Sequence, residues 1–197
     1  MQPKLDTLHA PWLRIPAWGA AMACLTAAER VFPLIDRLAS ARTKEYCRAT
    51  LDEVWASSAG PPPRADAIAS QIHGIDGLPE SSEDDSHKAA YYAMRAIGLV
   101  WHAVRSQAPE AAHQEWRGAL SGALSLAADL EVVAQRVATK KPGLRESEIA
   151  FQGQILRLIE QEPGLSTHLV TSLRVLGEGM ATEFQSAVDD LCRLKGW

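Results

Sequence analysis

Two adjacent charges, Glu29 and Arg30, lie in a stretch of apolar residues, and Asp52 lies in a second such stretch. A carboxylate held among large apolar side chains is the kind of group that enzymes use as a general acid or base. Charges that form salt bridges between helices give the same pattern, and that structural interpretation is favoured. No catalytic residue is therefore assigned. Glu29, Arg30 and Asp52 are predicted binding residues, which must converge on one pocket if they act together.

A second concentration of charge is the acidic run ESSEDDS over residues 80–86. Its members Glu83, Asp84 and Asp85 are predicted to bind a partner, because clustered carboxylates attract a basic protein or hold a hard cation. The glycine and glutamate that a calcium-binding loop needs at set positions are absent, so no metal site is predicted. The other interpretation, which is favoured, is a solvated loop in which Asp85 or Ser86 caps the next helix.

Other reactive side chains lack the spacing that chemistry requires. None of the six histidines lies three or four residues from another, so a helical zinc site built on a histidine pair is not predicted. Phosphate-binding, dinucleotide-binding, HExxH and GxSxG motifs are all missing. Cys24, Cys47 and Cys192 form no CxxC pair and are odd in number, which indicates a reducing compartment rather than a disulfide framework. No cofactor is predicted.

The bulk composition is typical of one globular domain with a sizeable core: 197 residues, 47% hydrophobic and 22% charged. The net charge of −4 is opposite in sign to the basic field of most nucleic-acid-binding proteins. Polar residues interrupt any signal-peptide pattern near the start, and no apolar run approaches the roughly 18 residues of a membrane helix. We therefore expect a cytoplasmic protein without a nucleic-acid or membrane partner.

Apolar residues recur at three- and four-residue spacing along most of the chain, and the alternation typical of strands is almost absent. This pattern predicts an all-α, single-domain bundle of about seven helices with short loops. The predicted helices run from Trp12 or Pro16 to Leu38, over 42–57, 65–73 and 87–106, from Pro109 to the KKPG sequence at 140–143, and over 144–161 and 165–191. One domain is predicted over 1–197, with a loose N-terminal segment over 1–11.

A proline, Pro33, stands inside the first predicted helix, in the sequence AERVFPLIDRL. Proline in a helix interior removes one backbone hydrogen bond, here to the carbonyl of Glu29, and its ring crowds the preceding turn at a cost of about 3 kcal/mol. The first helix is therefore predicted to be kinked or broken at Pro33. The kink is the more attractive alternative because Leu34, Ile35 and Leu38 continue the apolar pattern beyond it.

Several of these motifs together resemble the bacterial domain of unknown function 416 family (YjaG-like). The resemblance begins with Trp18 and ACLTAAERVFPLI at 23–35, where a Glu-Arg pair precedes proline by two residues, and it includes LDEVW at 51–55. It continues more faintly through the acidic loop, the alanine-rich helix AAYYAMRAIGLVWHAV and the sequence ESEIAFQGQILRLI. Most of residues 12–160 are covered.

The resemblance implies an all-α bacterial protein and draws attention to Glu29, Arg30, Asp52 and Trp55, but it carries no established activity. Two positions depart from the family pattern. Ala28 stands where the family has a cysteine, and Arg95 stands where it has an aspartate. A site built on those two groups is therefore in doubt for this chain.

Three functions fit the sequence. The first is a non-catalytic protein-binding module, for example an immunity-type protein that neutralises a basic toxin through an acidic surface. The second is a structural homo-oligomer in which the last helix supplies the interface. The third is a small-ligand-binding protein or enzyme with a pocket near Glu29, Arg30 and Asp52. The lack of a catalytic motif ranks protein binding first, with a protein, basic in the immunity-type version, as the expected partner.

Overall fold

The computed structural model describes residues 8–137 and 143–197. Within these ranges the chain forms a short 3₁₀ turn, Ala10–Arg14, and seven α-helices, without any strand. The helices are α1 (Ala17–Leu38), α2 (Ala41–Ser57), α3 (Ala65–Asp76), α4 (Ala89–Arg105), α5 (Pro109–Val137), α6 (Leu144–Gln161) and α7 (Thr167–Lys195). The predicted all-α bundle is confirmed.

Helix α1 lies at the centre of the bundle. Its sequence is rich in alanine, the best helix former, and nearly every residue from Gly19 to Ile35 is buried. A helix that is apolar all round must be covered on every side, and α2, α4, α5, α6 and α7 all pack against it. Close approach of α6 requires Gly19, since a Cβ there would lie 2.6 Å from Cγ2 of Ile159.

Helix α1 runs through Pro33 without interruption, so the expected break does not occur. The helix continues to Leu38, and the backbone N–H of Ala39 donates to the carbonyl of Ile35 at 3.0 Å. Leu34 and Ile35 are completely buried, and their burial offsets the cost of the proline. A bend at Pro33 stays a prediction.

The N-terminal segment is partly fixed to the bundle. Residues 1–7 lie outside the described residues, but His9 is buried against Trp116 with the two rings edge to face at 5.4 Å. Trp12 stacks on the same Trp116 ring at 6.1 Å. The expectation of a loose segment over 1–11 is therefore wrong at His9, because these aromatic contacts hold it.

Two helices are longer than expected. Helix α3 continues past the predicted end at His73 to Asp76, since Gly74 serves packing rather than termination: a Cβ there would lie 1.8 Å from the Tyr46 hydroxyl oxygen. Helix α7 reaches Lys195 and ends at Gly196, whose φ of 71° is the left-handed conformation that glycine adopts without strain. The KKPG sequence lies mostly outside the described residues.

Helices α5 and α7 are the longest elements, with 29 residues each. Both pack on α1 and on each other, and α6 packs mainly on α5. Along the parts of the chain that are described, no helix combines the length and the apolar character needed to cross a membrane.

Candidate functional site

The carboxylate of Glu29 is the centre of a polar network where α1, α2 and α7 meet. It accepts hydrogen bonds from Arg48 at 2.6 and 3.0 Å and from the indole N–H of Trp55 at 2.8 Å. Helix α7 comes close at Gly177, where a Cβ would lie 3.3 Å from that of Glu29. Burial opposes the charge of Arg48, but the hydrogen bonds and charge of Glu29 raise the pKa of the guanidinium. Glu29 is thus held as a structural ion-pair partner.

Asp52 extends this network to the surface. Its carboxylate accepts from Arg48 at 3.1 Å and from Arg174 of α7 at 2.6 Å, and Arg174 also donates to Glu178 at 3.1 Å. Positive and negative side chains therefore alternate from the buried Glu29 outwards to the half-exposed Glu178. The network ties α2 to α7 and brings two of the three predicted residues, Glu29 and Asp52, together through Arg48.

Arg30 belongs to a separate network on another side of α1. Its Nε and Nη2 donate to the two carboxylate oxygens of Glu148 at 2.9 and 2.5 Å, and both side chains are fully buried. Gln152 donates to Glu148 at 2.8 Å, and the Arg30 guanidinium lies 4.4 Å above the ring of Phe151. The predicted convergence of Glu29, Arg30 and Asp52 is wrong, because adjacent residues on a helix point about 100° apart.

Glu148 is the main buried charge that was not predicted from the sequence. Its side chain enters the core and pairs with Arg30. A signal was available in the sequence. Glu148 falls on the apolar stripe of α6, four residues after Leu144 and seven before Ile155, and a charge in such a stripe indicates a buried partner.

The acidic loop is largely engaged with its own surroundings. Glu80 is 8% exposed, and its carboxylate accepts from the backbone N–H of Ser40 at 2.7 Å and the hydroxyl of Thr43 at 2.5 Å. Burial disfavours the charged form of Glu80, but these hydrogen bonds outweigh burial and lower the pKa of Glu80. The acid therefore holds the N-terminus of α2, as a capping group does.

The three residues predicted to bind a partner through this loop differ in their surroundings. Lys88 lies 3.2 Å from Glu83 and 3.8 Å from Asp85, so it neutralises part of their charge, whereas Asp84 is exposed. The expected helix cap is wrong: the N-cap of α4 is Lys88, without a side-chain hydrogen bond. Asp85 instead accepts from the N–H of His87 at 3.0 Å and closes a local turn.

A third charged cluster went unnoticed in the sequence. Glu115 of α5 lies 2.6 Å from Nδ1 of His102 and 2.9 Å from Nε of Arg105, which are three residues apart on α4. Nearby, burial raises the pKa of the Cys24 thiol to about 12. A hydrogen bond with Ser106 lowers this pKa in part, and the negative charge of Glu115 raises it further. Such a thiol stays protonated at neutral pH and is a poor nucleophile.

An open cleft of about 610 Å³, here named the α6–α7 groove, lies between the last two helices. Its nine lining residues include no Asp, Glu, Lys or Arg: Phe151 and Gln154 of α6, and His168, Thr171, Ser172, Val175, Leu176, Gly179 and Met180 of α7. Val175 is 61% exposed. The spacing between α6 and α7 that creates this groove could not be predicted from the sequence pattern.

A second cavity, of about 190 Å³, lies at one end of the bundle and includes Trp18, Ser58 and Ser106. The hydroxyls of Ser58 and Ser106 donate to carbonyls of their own helices at 2.6 and 2.8 Å. Neither cavity is lined by a member of the predicted trio Glu29, Arg30 and Asp52. Over the ranges 8–137 and 143–197, no three His, Cys, Asp or Glu side chains are grouped so that they could hold a metal ion.

Comparison with known proteins identifies the fold. No protein-family model and no curated protein matches the sequence. A crystal structure of a DUF416 family protein from Shewanella baltica OS155 matches with a TM-score of 0.66 and 15% sequence identity, over 89% of this chain and 93% of that one. The predicted resemblance is thus confirmed at the level of architecture: the chain shares the fold of a DUF416 family protein.

Proposed function

We propose that this chain is a non-catalytic protein-binding module whose contact surface is the α6–α7 groove, occupied by an α-helix of the partner. The single observation that supports the proposal most is the groove itself. Its lining has no Asp, Glu, Lys or Arg and exposes Val175, and the cores of protein interfaces are similarly poor in these residues. A cleft between two helices accepts a third helix, whose apolar side chains lie at i, i+3, i+4 and i+7.

The surroundings of the predicted site residues support binding over catalysis. Glu29 and Asp52 are bonded to arginines, and Arg30 is bonded to a buried carboxylate. A general acid or base must instead reach the proton that it transfers. The immunity-type version draws little support from the acidic loop, because Glu80 and Glu83 are engaged within the chain and Asp84 is left as its exposed acid.

Site-specific photo-crosslinking tests the proposal. A photoreactive amino acid at position 175 is expected to form a covalent adduct with a partner protein in cells. The same group at position 13 is the matched control, because Leu13 is 63% exposed but lies outside the groove. The captured protein, once purified, should bind the intact chain and the Leu13→Lys variant equally well, and the Val175→Lys variant should bind it at least about tenfold more weakly. Equal adducts from both positions, or binding indifferent to Val175→Lys, would rule the proposal out.

A further inference from the structure

Helix α7 presents a projection and a depression one turn apart on its open face. Val175 is the projection, with 61% of its surface exposed. Gly179 is the depression, because without a side chain the helix surface there falls back to the backbone, and the space that a Cβ would occupy is open. Residues four apart on a helix lie on the same face. The open face of α7 therefore carries a protruding side chain, Val175, and one turn away a gap of roughly matching size above Gly179.

We propose that the helix occupying the α6–α7 groove is α7 of a second copy of this chain, so that the protein is a two-fold symmetric dimer. The inference rests on the proposed function and names its partner. A two-fold axis across α7 beside Gly177 relates position 175 of one copy to position 179 of the other, because both lie two residues from the axis. Val175 of each copy then enters the space above Gly179 of the other, in a self-complementary interface.

The charges along this face suit an antiparallel contact between copies. Residues near a two-fold axis meet their own counterparts, so a charge there would face a like charge. The groove lining has no Asp, Glu, Lys or Arg. Further out, Arg174 and Glu178 lie on one edge of α7, and the symmetry brings Arg174 of each copy near Glu178 of the other. The exposed Glu183 lies opposite Thr171 of the second copy, which is neutral.

A swap of the projection and the depression tests this arrangement. Val175→Gly removes both projections from the dimer, and Gly179→Val fills both depressions. Each single variant should weaken dimerisation at least about tenfold. The double variant Val175→Gly/Gly179→Val restores the match, with the valine now on the opposite helix, and should dimerise nearly as the intact chain does. Its composition is unchanged, so it also controls for the helix propensity of glycine.

Sedimentation velocity over a wide range of protein concentration is the measurement, with circular dichroism to confirm that each variant is folded. A dimer weakened by both single changes and recovered by the double change supports the inference. A monomer at every concentration overturns it. It is also overturned if the single changes leave the dimerisation constant unchanged, or if the double change does not restore it. If the chain is a monomer while position 175 still crosslinks to a different protein, the proposed function stands and the self-association fails.

Discussion

At the scale of single residues, the pair Arg30–Glu148 dominates the buried polar structure. Both side chains have no exposure, and the two positions are 118 residues apart in the chain. A buried ion pair often contributes little net stability, because desolvation consumes most of the attraction. Removing one partner is different, since it leaves a charge without compensation in the core. The pair therefore specifies how α6 sits on α1 more than it strengthens the fold.

The change Glu148→Gln should lower the free energy of unfolding by about 3–5 kcal/mol, because the Arg30 guanidinium loses its counter-charge. Urea denaturation followed by circular dichroism measures this. The matched control is Asp66→Asn in the exposed Arg64–Asp66 pair, which should change stability by less than about 1 kcal/mol. Replacing both partners, as Arg30→Met with Glu148→Leu, should recover part of the loss. A loss below about 1 kcal/mol for Glu148→Gln would contradict the assigned role.

Residue types and spacing in the sequence identified Glu29, Arg30 and Asp52 as unusual, and all three are in ion pairs. Their partners were not identified, because Arg48, Arg174 and Glu148 lie on other helices, and sequence spacing does not tell which helix faces which. The helical geometry of a Glu-Arg dipeptide alone was enough to separate Glu29 from Arg30.

At the scale of elements, the start of α2 shows how a loop can stabilise a helix far away in sequence. Ser40 is the N-cap residue, and its own backbone N–H donates to Glu80, 40 positions later. The same carboxylate accepts from Thr43, so one acid serves two donors in the first turn. The positive end of the helix dipole favours a negative charge at this place. The acidic loop thus has a structural purpose at its first acid.

The change Glu80→Gln should lower stability by about 1–3 kcal/mol at neutral pH, because a neutral amide bonds these donors less well. The pKa of Glu80 is lowered from its ordinary value of 4.5. Its contribution is therefore fully present above that pH and disappears as the pH falls through the lowered pKa of the folded state. Thermal unfolding at a series of pH values should show the intact chain and the variant converging only in acid.

Asp84→Asn is the control for the Glu80 experiment, since Asp84 is exposed in the same loop and should leave the unfolding temperature nearly unchanged. A difference between Glu80→Gln and the intact chain that does not depend on pH would count against the charge as its cause.

The helices themselves were largely predictable from apolar periodicity, and most ends agree within a few residues. The errors have local causes. Gly74 continues α3 because Tyr46 packs on it, and Pro33 remains inside α1 because Leu34 and Ile35 after it are completely buried. In both cases tertiary contacts outweigh the propensity of the single residue.

At the scale of the whole molecule, the bundle is organised around one covered helix. Helix α1 is surrounded by five others, while α6 and α7 leave the groove between them. The number and type of helices followed from the sequence, but their arrangement did not, because an apolar stripe does not specify its neighbour. Val175 lies off the buried face of α7 that carries Leu169, Leu173 and Leu191, and it gave no reason to expect an open face.

Hydrogen exchange should reflect this arrangement. The amides of α1 over 20–35 are expected to exchange only through global unfolding, with a protection free energy equal to the unfolding free energy from denaturation. The connector over 58–64, between α2 and α3, and the acidic loop should exchange much faster. Mass spectrometry of peptic fragments measures both in one experiment. Faster exchange in α1 than in α6 would contradict the central position of α1.

The distance of 118 residues between Arg30 and Glu148 also has a consequence for synthesis on the ribosome. At about 5–20 residues per second, roughly 6–24 s separate the emergence of the two charges. During this interval the nascent chain holds a guanidinium that has no counter-charge, and α1 has no cover from α6 or α7. Helix α1 is therefore synthesised well before α6 and α7. Its burial in the folded bundle is completed only after these C-terminal helices have been made.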